Sequence, residues 1–293
     1  MVVATGFFDG VHLGHRFILS QLLEVARGRG DEAMVVTFWP HPRNVLQKDA
    51  RDFRLLTSMD EKKTLIRGAG ISHVEAINFT REFSRLTAEQ YIREYLMDRY
   101  GAKAVLLGYD NRMGSDRSTP EQTALTAERL GLDVIRARSY ADEAGTVISS
   151  TKIRNSLAAG DVESANSMLG YEYGLHGVVV AGNRIGRTIG FPTANMRQYE
   201  PLKLVPGSGA YLVRVETLGR KFFGMCNIGV RPTLGQGNAL TIETNIFGFD
   251  EDIYGLDIRI SFLRKIRDEK RFPGLEGLVA QLQKDKEYCL GLL

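Results

Sequence analysis

Apolar residues in the first half of the chain follow two alternating patterns. Short β-branched or aromatic runs at 2–5, 33–38, 73–79 and 104–108 have the length and composition of buried strands. Between them, apolar residues recur at helical spacing: Ile18, Leu19, Leu22, Leu23 and Ala26 form one stripe, and Tyr91, Ile92, Tyr95 and Leu96 another. Ser58 with Glu61 makes a capping box that opens a helix through Leu65 and Ile66, and the Thr87–Gln90 stretch caps the second stripe. Residues 121–130 read as a helix, with 134–135 and 147–148 as shorter strand candidates. Strands alternating with helices predict an α/β fold with a doubly wound parallel sheet. Ligands of such sheets sit at the carboxyl ends of the strands.

The pattern changes near residue 150. A helix start at 150–154 is followed by a second short helix, from Asp161 to Gly170. After Tyr173 no long helical pattern returns until Leu275. The runs at 177–181, 210–217, 221–228, 240–247 and 258–263 are strand-like and separated by glycine and proline. They predict a small β-barrel with a terminal helix. The boundary falls between about Leu157 and Tyr173, giving a first domain at 1–157, a helical linker at 158–172 and a second domain at 173–293. A chain of 293 residues suits two domains.

Composition narrows the classes without choosing among them. Net charge is only +3 and the basic residues are dispersed, so nothing demands a nucleic-acid partner. Cys226 and Cys289 lie far apart and follow no metal-ligand spacing, which makes a disulfide scaffold unexpected and a reducing cytoplasm the default. No apolar run reaches membrane-spanning length, so no membrane partner is expected. The chain starts directly in a strand, with no basic region of a secretion signal ahead of it. Oligomeric state is not legible.

Four stretches carry candidate chemistry. Gly-Phe-Phe-Asp-Gly-Val-His-Leu-Gly-His, at 6–15, sits between the first strand and the first helix. That arrangement points backbone N–H groups at an anion, and the three-residue spacing puts His12 and His15 over one spot. A tight turn with two surface histidines is the plainer reading. The second stretch is the helix start at Ser150 and Thr151, with Arg154 one turn on. Its hydroxyls, N–H groups and guanidinium suit phosphate oxygens, although an ordinary cap beside a surface arginine has the same look. The third, 182–195, combines glycines, Arg184 and Arg187 with Phe-Pro-Thr-Ala-Asn. Thr193 and Asn195 offer oxygen ligands suited to Mg²⁺. The fourth is 241–247, where alternation places Glu243 and Asn245 on one face and Ile242, Thr244 and Ile246 on the other. Glu243 is a general-base candidate if its face lines the barrel, and a solvent-facing residue if it does not.

Together and in this order, these motifs resemble the bacterial bifunctional riboflavin kinase/FMN adenylyltransferase family, or FAD synthetases. The likeness includes the stretch at 6–15, Thr-Phe-x-Pro-His-Pro at 37–42 and Ser-Ser-Thr-x-Ile-Arg at 149–154. In the second half it includes Gly-Phe-Pro-Thr-Ala-Asn at 190–195, Glu243-Thr244 and the Arg267-to-Phe272 ending. It implies a nucleotidyltransferase-like Rossmann first domain. It also implies two reactions with ATP as co-substrate: riboflavin to FMN in the second domain, then FMN to FAD with pyrophosphate release in the first. The implied ATP site of the first domain comprises Gly6, Phe7, Asp9, Gly10, His12, His15, Asp110, Ser150, Thr151 and Arg154, with Asp110 on the ribose or a metal. Pro40, His41, Pro42 and Arg267 are implied flavin contacts. In the kinase, Glu243 is the implied base, Thr193 and Asn195 hold Mg²⁺, and Gly182 and Arg187 belong to the ATP loop. Three departures are visible. The family's short lead before the first strand is absent, Asn111 and Met113 stand where phenylalanines are usual, and Asn245 replaces a common histidine. Other readings are a kinase or flavin binder with an impaired first site, and an adenylyltransferase for another phosphorylated acceptor.

Overall fold

The computed structural model describes residues 1–46, 53–108, 113–140, 147–182, 185–233, 237–270 and 272–293. The chain forms two compact units, Met1–Ser150 and Thr151–Leu293.

The first unit is a five-stranded sheet built from β1 (Val2–Thr5), β2 (Ala33–Trp39), β3 (His73–Asn78), β4 (Ala104–Leu107) and β5 (Asp133–Arg136). Their order is β3-β2-β1-β4-β5, with every pairing parallel. The helices are α1 (Leu13–Arg29), α2 (Pro42–Leu46), α3 (Met59–Gly68), α4 (Ala88–Gln90), which continues as a π-helix over Tyr91–Arg99, and α5 (Pro120–Arg129). Because both faces are covered, β1 is buried at all four positions. Val2 and Ala4 join Leu19, Leu22 and Ile66 in one core. Val3 joins Phe38, Tyr91, Ile92 and Leu96 in the other. Burying leucines such as Leu19 and Leu22 fully contributes about 1.5–3 kcal/mol each. Both expected capping boxes form, at Ser58/Glu61 and Thr87/Gln90. The expected strand at 147–148 does not. Ile148 is buried, but its carbonyl lies near Gly14 in the first turn of α1 instead of joining a ladder.

The second unit takes in α6 (Ser150–Ala158) from Thr151 onward, then α7 (Val162–Leu169), capped by Asp161 and closed by the left-handed Gly170. Asn166 on α7 donates to the Phe262 carbonyl at 2.8 Å and accepts from Tyr173 N at 2.7 Å, tying the helix to the barrel. The barrel strands are β6 (Gly174–Val180), β7 (Ala194–Gln198), β8 (Gly209–Thr217), β9 (Arg220–Thr233), β10 (Gly237–Ile246) and β11 (Asp257–Arg267). A short α8 (Ile185–Thr188) lies between β6 and β7, and α9 (Leu275–Leu290) ends the chain. The barrel closes in the order β10-β7-β6-β11-β8-β9, all antiparallel. Sequence patterning missed β7, whose first residues are the end of the Phe-Pro-Thr-Ala-Asn motif. Among the described residues no helix is long and apolar enough to cross a membrane.

Candidate active sites

In the first unit the turn after β1 is sharply bent. Phe8 and Val11 have φ of 46° and 38°, and Gly10 has φ 83°. A left-handed backbone at a β-branched valine costs on the order of 1–3 kcal/mol, so its surroundings must hold it. Asp9 does much of this. Its buried carboxylate accepts from Leu56 N at 3.1 Å, Thr57 N at 3.2 Å and Thr57 Oγ1 at 3.3 Å. Gly10 N donates back to Thr57 Oγ1 at 3.2 Å. The stretch before α3 is thereby stitched to the turn.

His12 caps α1, its Nδ1 accepting from His15 N at 3.3 Å. The proton it can offer a ligand is therefore on Nε2. The rings of His12 and His15 stack 3.7 Å apart at 17°, as their spacing predicts. A Cβ at Gly14 would come within 3.2 Å of the His12 ring, so glycine lets that ring lie close. Burial, then the neighbouring His12 and Lys62, hold the His15 imidazole well below the usual histidine range, so it is neutral at pH 7. Its Nδ1 is buried with no hydrogen-bond partner among the described residues. Lys62, on α3, is 2% exposed. Burial pushes its ammonium down to about 8 although Asp9 opposes the shift.

Beside this turn, the His41 ring lies between Phe7, at 5.0 Å, and Phe53, at 4.6 Å. Arg43 sits over Phe53. Pro40, His41 and Pro42 are half-buried, and Phe7 is 41% exposed, leaving an aromatic surface open to a ring-shaped ligand. Gly6 continues the strand pairing, its N–H donating to Val36 O at 3.1 Å. Ser150 Oγ donates to the Asp9 carbonyl at 2.9 Å, placing the first residue of α6 against the turn. Thr151, exposed, and Arg154, half-buried, follow on α6 and belong to the second unit. Asp110, together with Tyr109, Asn111 and Arg112, lies outside the described residues. Met113 is buried in the core with Phe38 and Tyr91.

In the second unit a cavity of about 260 Å³ is lined by Thr193, Asn195, Asn227, Glu243, Asn245 and Arg267, among others. Glu243 therefore faces this cavity, which α9 also lines, and the solvent-facing alternative is set aside; Ile242, Thr244 and Ile246 take the other, buried face of β10. Register explains the grouping: Glu243 pairs with Asn195 on one side of β10 and with Asn227 on the other. Thr193 Oγ1 lies 3.5 Å from Glu243 Oε2, at the long limit of a hydrogen bond. Gly182 is packed against Asn195, where a Cβ would meet Nδ2 at 2.3 Å. Arg187 is exposed on α8, and Arg184 lies outside the described residues. Asn245 Nδ2 donates to the Pro192 carbonyl at 2.8 Å, fixing the Phe-Pro turn. Arg267 is held from α9: its Nε donates to Asp285 Oδ2 at 2.8 Å, and Gln281 donates to the other oxygen at 2.8 Å. Burial pushes the Cys226 thiol up to about 12, so this lining cysteine stays protonated and unreactive.

Residues 1–152 match the family described as FAD synthetase, and residues 169–293 the family described as riboflavin kinase. A bifunctional riboflavin kinase/FMN adenylyltransferase from Listeria monocytogenes is 36% identical over 286 residues, covering 98% of this chain and 90% of the relative. The chain belongs to the bifunctional riboflavin kinase/FMN adenylyltransferase family. Another member, from Bacillus subtilis, is 35% identical over 293 residues, covering 99% and 91% of the two chains. A crystal structure described as a macrolide-efflux protein from Streptococcus pneumoniae aligns with TM-score 0.90 at 33% identity, covering 98% of this family member and 92% of that chain.

Lys62, Asp285 and Asn227 are the site residues that sequence reasoning missed. A signal existed for the first two. Each is a charged residue four positions before a buried apolar one, Ile66 and Cys289, and so falls on a helix face turned inward.

Proposed function

We propose that this family member phosphorylates riboflavin to FMN in the barrel unit and adenylylates FMN to FAD in the sheet unit, with ATP as donor in both. The observation that carries the reading is that one chain holds two chemically unlike sites. One is a cavity lined by a glutamate, and the other is a helix N-terminus bearing stacked histidines.

In the kinase step a ribityl hydroxyl loses its proton as its oxygen attacks the γ-phosphorus of ATP, and the bond to the β,γ-bridging oxygen breaks, with ADP leaving with the electron pair. Glu243 accepts that proton. The Thr193 hydroxyl and the Asn195 amide are hard oxygen donors beside Glu243, a set that fits Mg²⁺. Thr193 and Asn195 would hold the ion from the protein side. Bound there, Mg²⁺ neutralises charge on the transferring phosphate. Gly182 and Arg187 flank the ATP phosphates, and Arg267 contacts the flavin.

The adenylyl step needs no base. The FMN phosphate, with its second pKa near 6, is already mostly dianionic at pH 7. One of its oxygens attacks the α-phosphorus, the bond to the bridging oxygen breaks, and pyrophosphate leaves with the electron pair. What remains is alignment and hydrogen bonding to the developing charge. His12 donates from Nε2, and His15 donates as a neutral imidazole. Ser150, Thr151 and Arg154 hold phosphate oxygens. The Phe7–His41–Phe53 surface receives the isoalloxazine between Pro40 and Pro42. Incubating the full chain with riboflavin, ATP and Mg²⁺ and chromatographing the products tests the reading. FMN should appear first and FAD second, with one ADP per FMN formed and one pyrophosphate per FAD. A chain that yields neither flavin product overturns the proposal.

A further inference from the structure

The inward face of α3 carries Lys62 and Ile66, one turn apart. Ile66 belongs there, packed in the core with Phe8 and Val11. Lys62 does not belong by the same logic. It is 2% exposed and, among the described residues, has no carboxylate within 4.0 Å and donates no hydrogen bond from its ammonium. Its ammonium nitrogen is not among the buried unpartnered polar atoms, so the side chain is enclosed while the charge itself keeps an opening, an arrangement natural folds rarely keep without a use for the charge.

The local fold fixes where that charge points. Asp9 and Gly10 hold Leu56 and Thr57 against the turn, and the capping box at Ser58 and Glu61 starts α3 at once. Lys62 follows one turn later, its backbone N–H donating to Ser58 O at 3.0 Å. It is close enough to the turn for its charge to act on both Asp9 and His15. The orphaned Nδ1 of His15 is buried in the same region, and the first turn of α1 carries no acidic residue. A lysine with a buried stem, an unpartnered imidazole nitrogen and a helix N-terminus thus converge, with no anion among the described residues within ion-pair distance of the lysine.

We infer that Lys62 is a catalytic residue of the adenylyl-transfer site, contacting nucleotide phosphate oxygens and stabilising the charge on the departing pyrophosphate. The inference rests on the adenylyl-transfer reading of that turn. Lys62 moves no proton in the step: the phosphorus–oxygen bond breaks toward pyrophosphate, and the ammonium offsets the charge that collects there.

Two substitutions in the full chain separate a charge role from a packing role. Lys62→Met keeps the volume and removes the charge; Lys62→Arg keeps the charge and adds bulk. A charge role predicts that Lys62→Met lowers kcat for FAD formation from FMN and ATP by on the order of 10²–10³. It also predicts that Lys62→Arg retains more of the rate, and that both variants make FMN from riboflavin at the wild-type rate. A packing role predicts the reverse order. Lys62→Met at no more than about threefold below wild type, or Lys62→Arg as the weaker of the two, overturns the assignment. A wild-type chain that makes FMN but no FAD overturns the adenylyl-transfer reading itself, which is a different result.

Discussion

At pH 7 the His15 imidazole carries no charge, because burial first and then His12 and Lys62 disfavour the protonated ring. In the unfolded chain the same ring titrates near 6.5. As pH falls below that value the unfolded state takes up a proton that the folded state refuses, so this residue lowers stability on the acid side. Following the imidazole Cε1 resonances by NMR should show His15 unprotonated through pH 6.5; a midpoint near 6.5 would contradict the assignment. Lys62 has the opposite window. Its ammonium titrates at about 8 when folded, against 10.5 for the free group, so the unfolded state holds more protons between those values and stability rises with pH there. At pH 7 the full penalty is present, on the order of 3 kcal/mol. Lys62→Met should therefore make the first unit more resistant to urea while slowing FAD formation. A less resistant variant would show that the lysine is stabilising as it stands.

At the level of elements, each candidate site lies beside a helix anchored by one buried carboxylate. Asp9 stitches the stretch before α3 to the histidine turn, and Asp285 on α9 holds Arg267 at the barrel cavity. Asp285→Ala leaves the Arg267 guanidinium without its partner in a mostly buried position, and should destabilise the barrel unit by about 3–5 kcal/mol. FMN formation should then show a raised KM for riboflavin, and FAD formation from FMN should stay unchanged. Urea unfolding and steady-state kinetics check both halves. These elements also show what the sequence could disclose. A spacing of three was enough to pair His12 with His15, because local helix geometry decides it. Alternation put Glu243 and Asn245 on one face of β10, but only the packing of α9 and the Phe191 turn over that face makes it line a cavity instead of open solvent. The start of β7 was hidden because Gly190 and Pro192 read as loop punctuation, although Ala194 and Asn195 already pair with β10. Lys62 and Asp285 were passed over because a single charge on an apolar stripe resembles noise until burial is known.

At the scale of the molecule, two units carry two sites with different chemical needs. The attacker in one is an alcohol that must lose a proton; in the other it is a phosphate that has already lost its own. The barrel therefore needs a base, and the sheet needs hydrogen-bond donors and positive charge. Candidates of both kinds were legible in the sequence, Lys62 excepted, as was the order of the two folds. The decisive measurement is product analysis of two variants of the full chain. With FMN and Mg-ATP, His15→Ala should lose FAD formation by on the order of 10²–10³, while FMN formation from riboflavin proceeds normally. Glu243→Gln should lose FMN formation by roughly 10²–10⁴, while still converting supplied FMN to FAD. If Glu243→Gln makes FMN at the wild-type rate, or if either variant loses both reactions together, the division of chemistry between the two units is wrong.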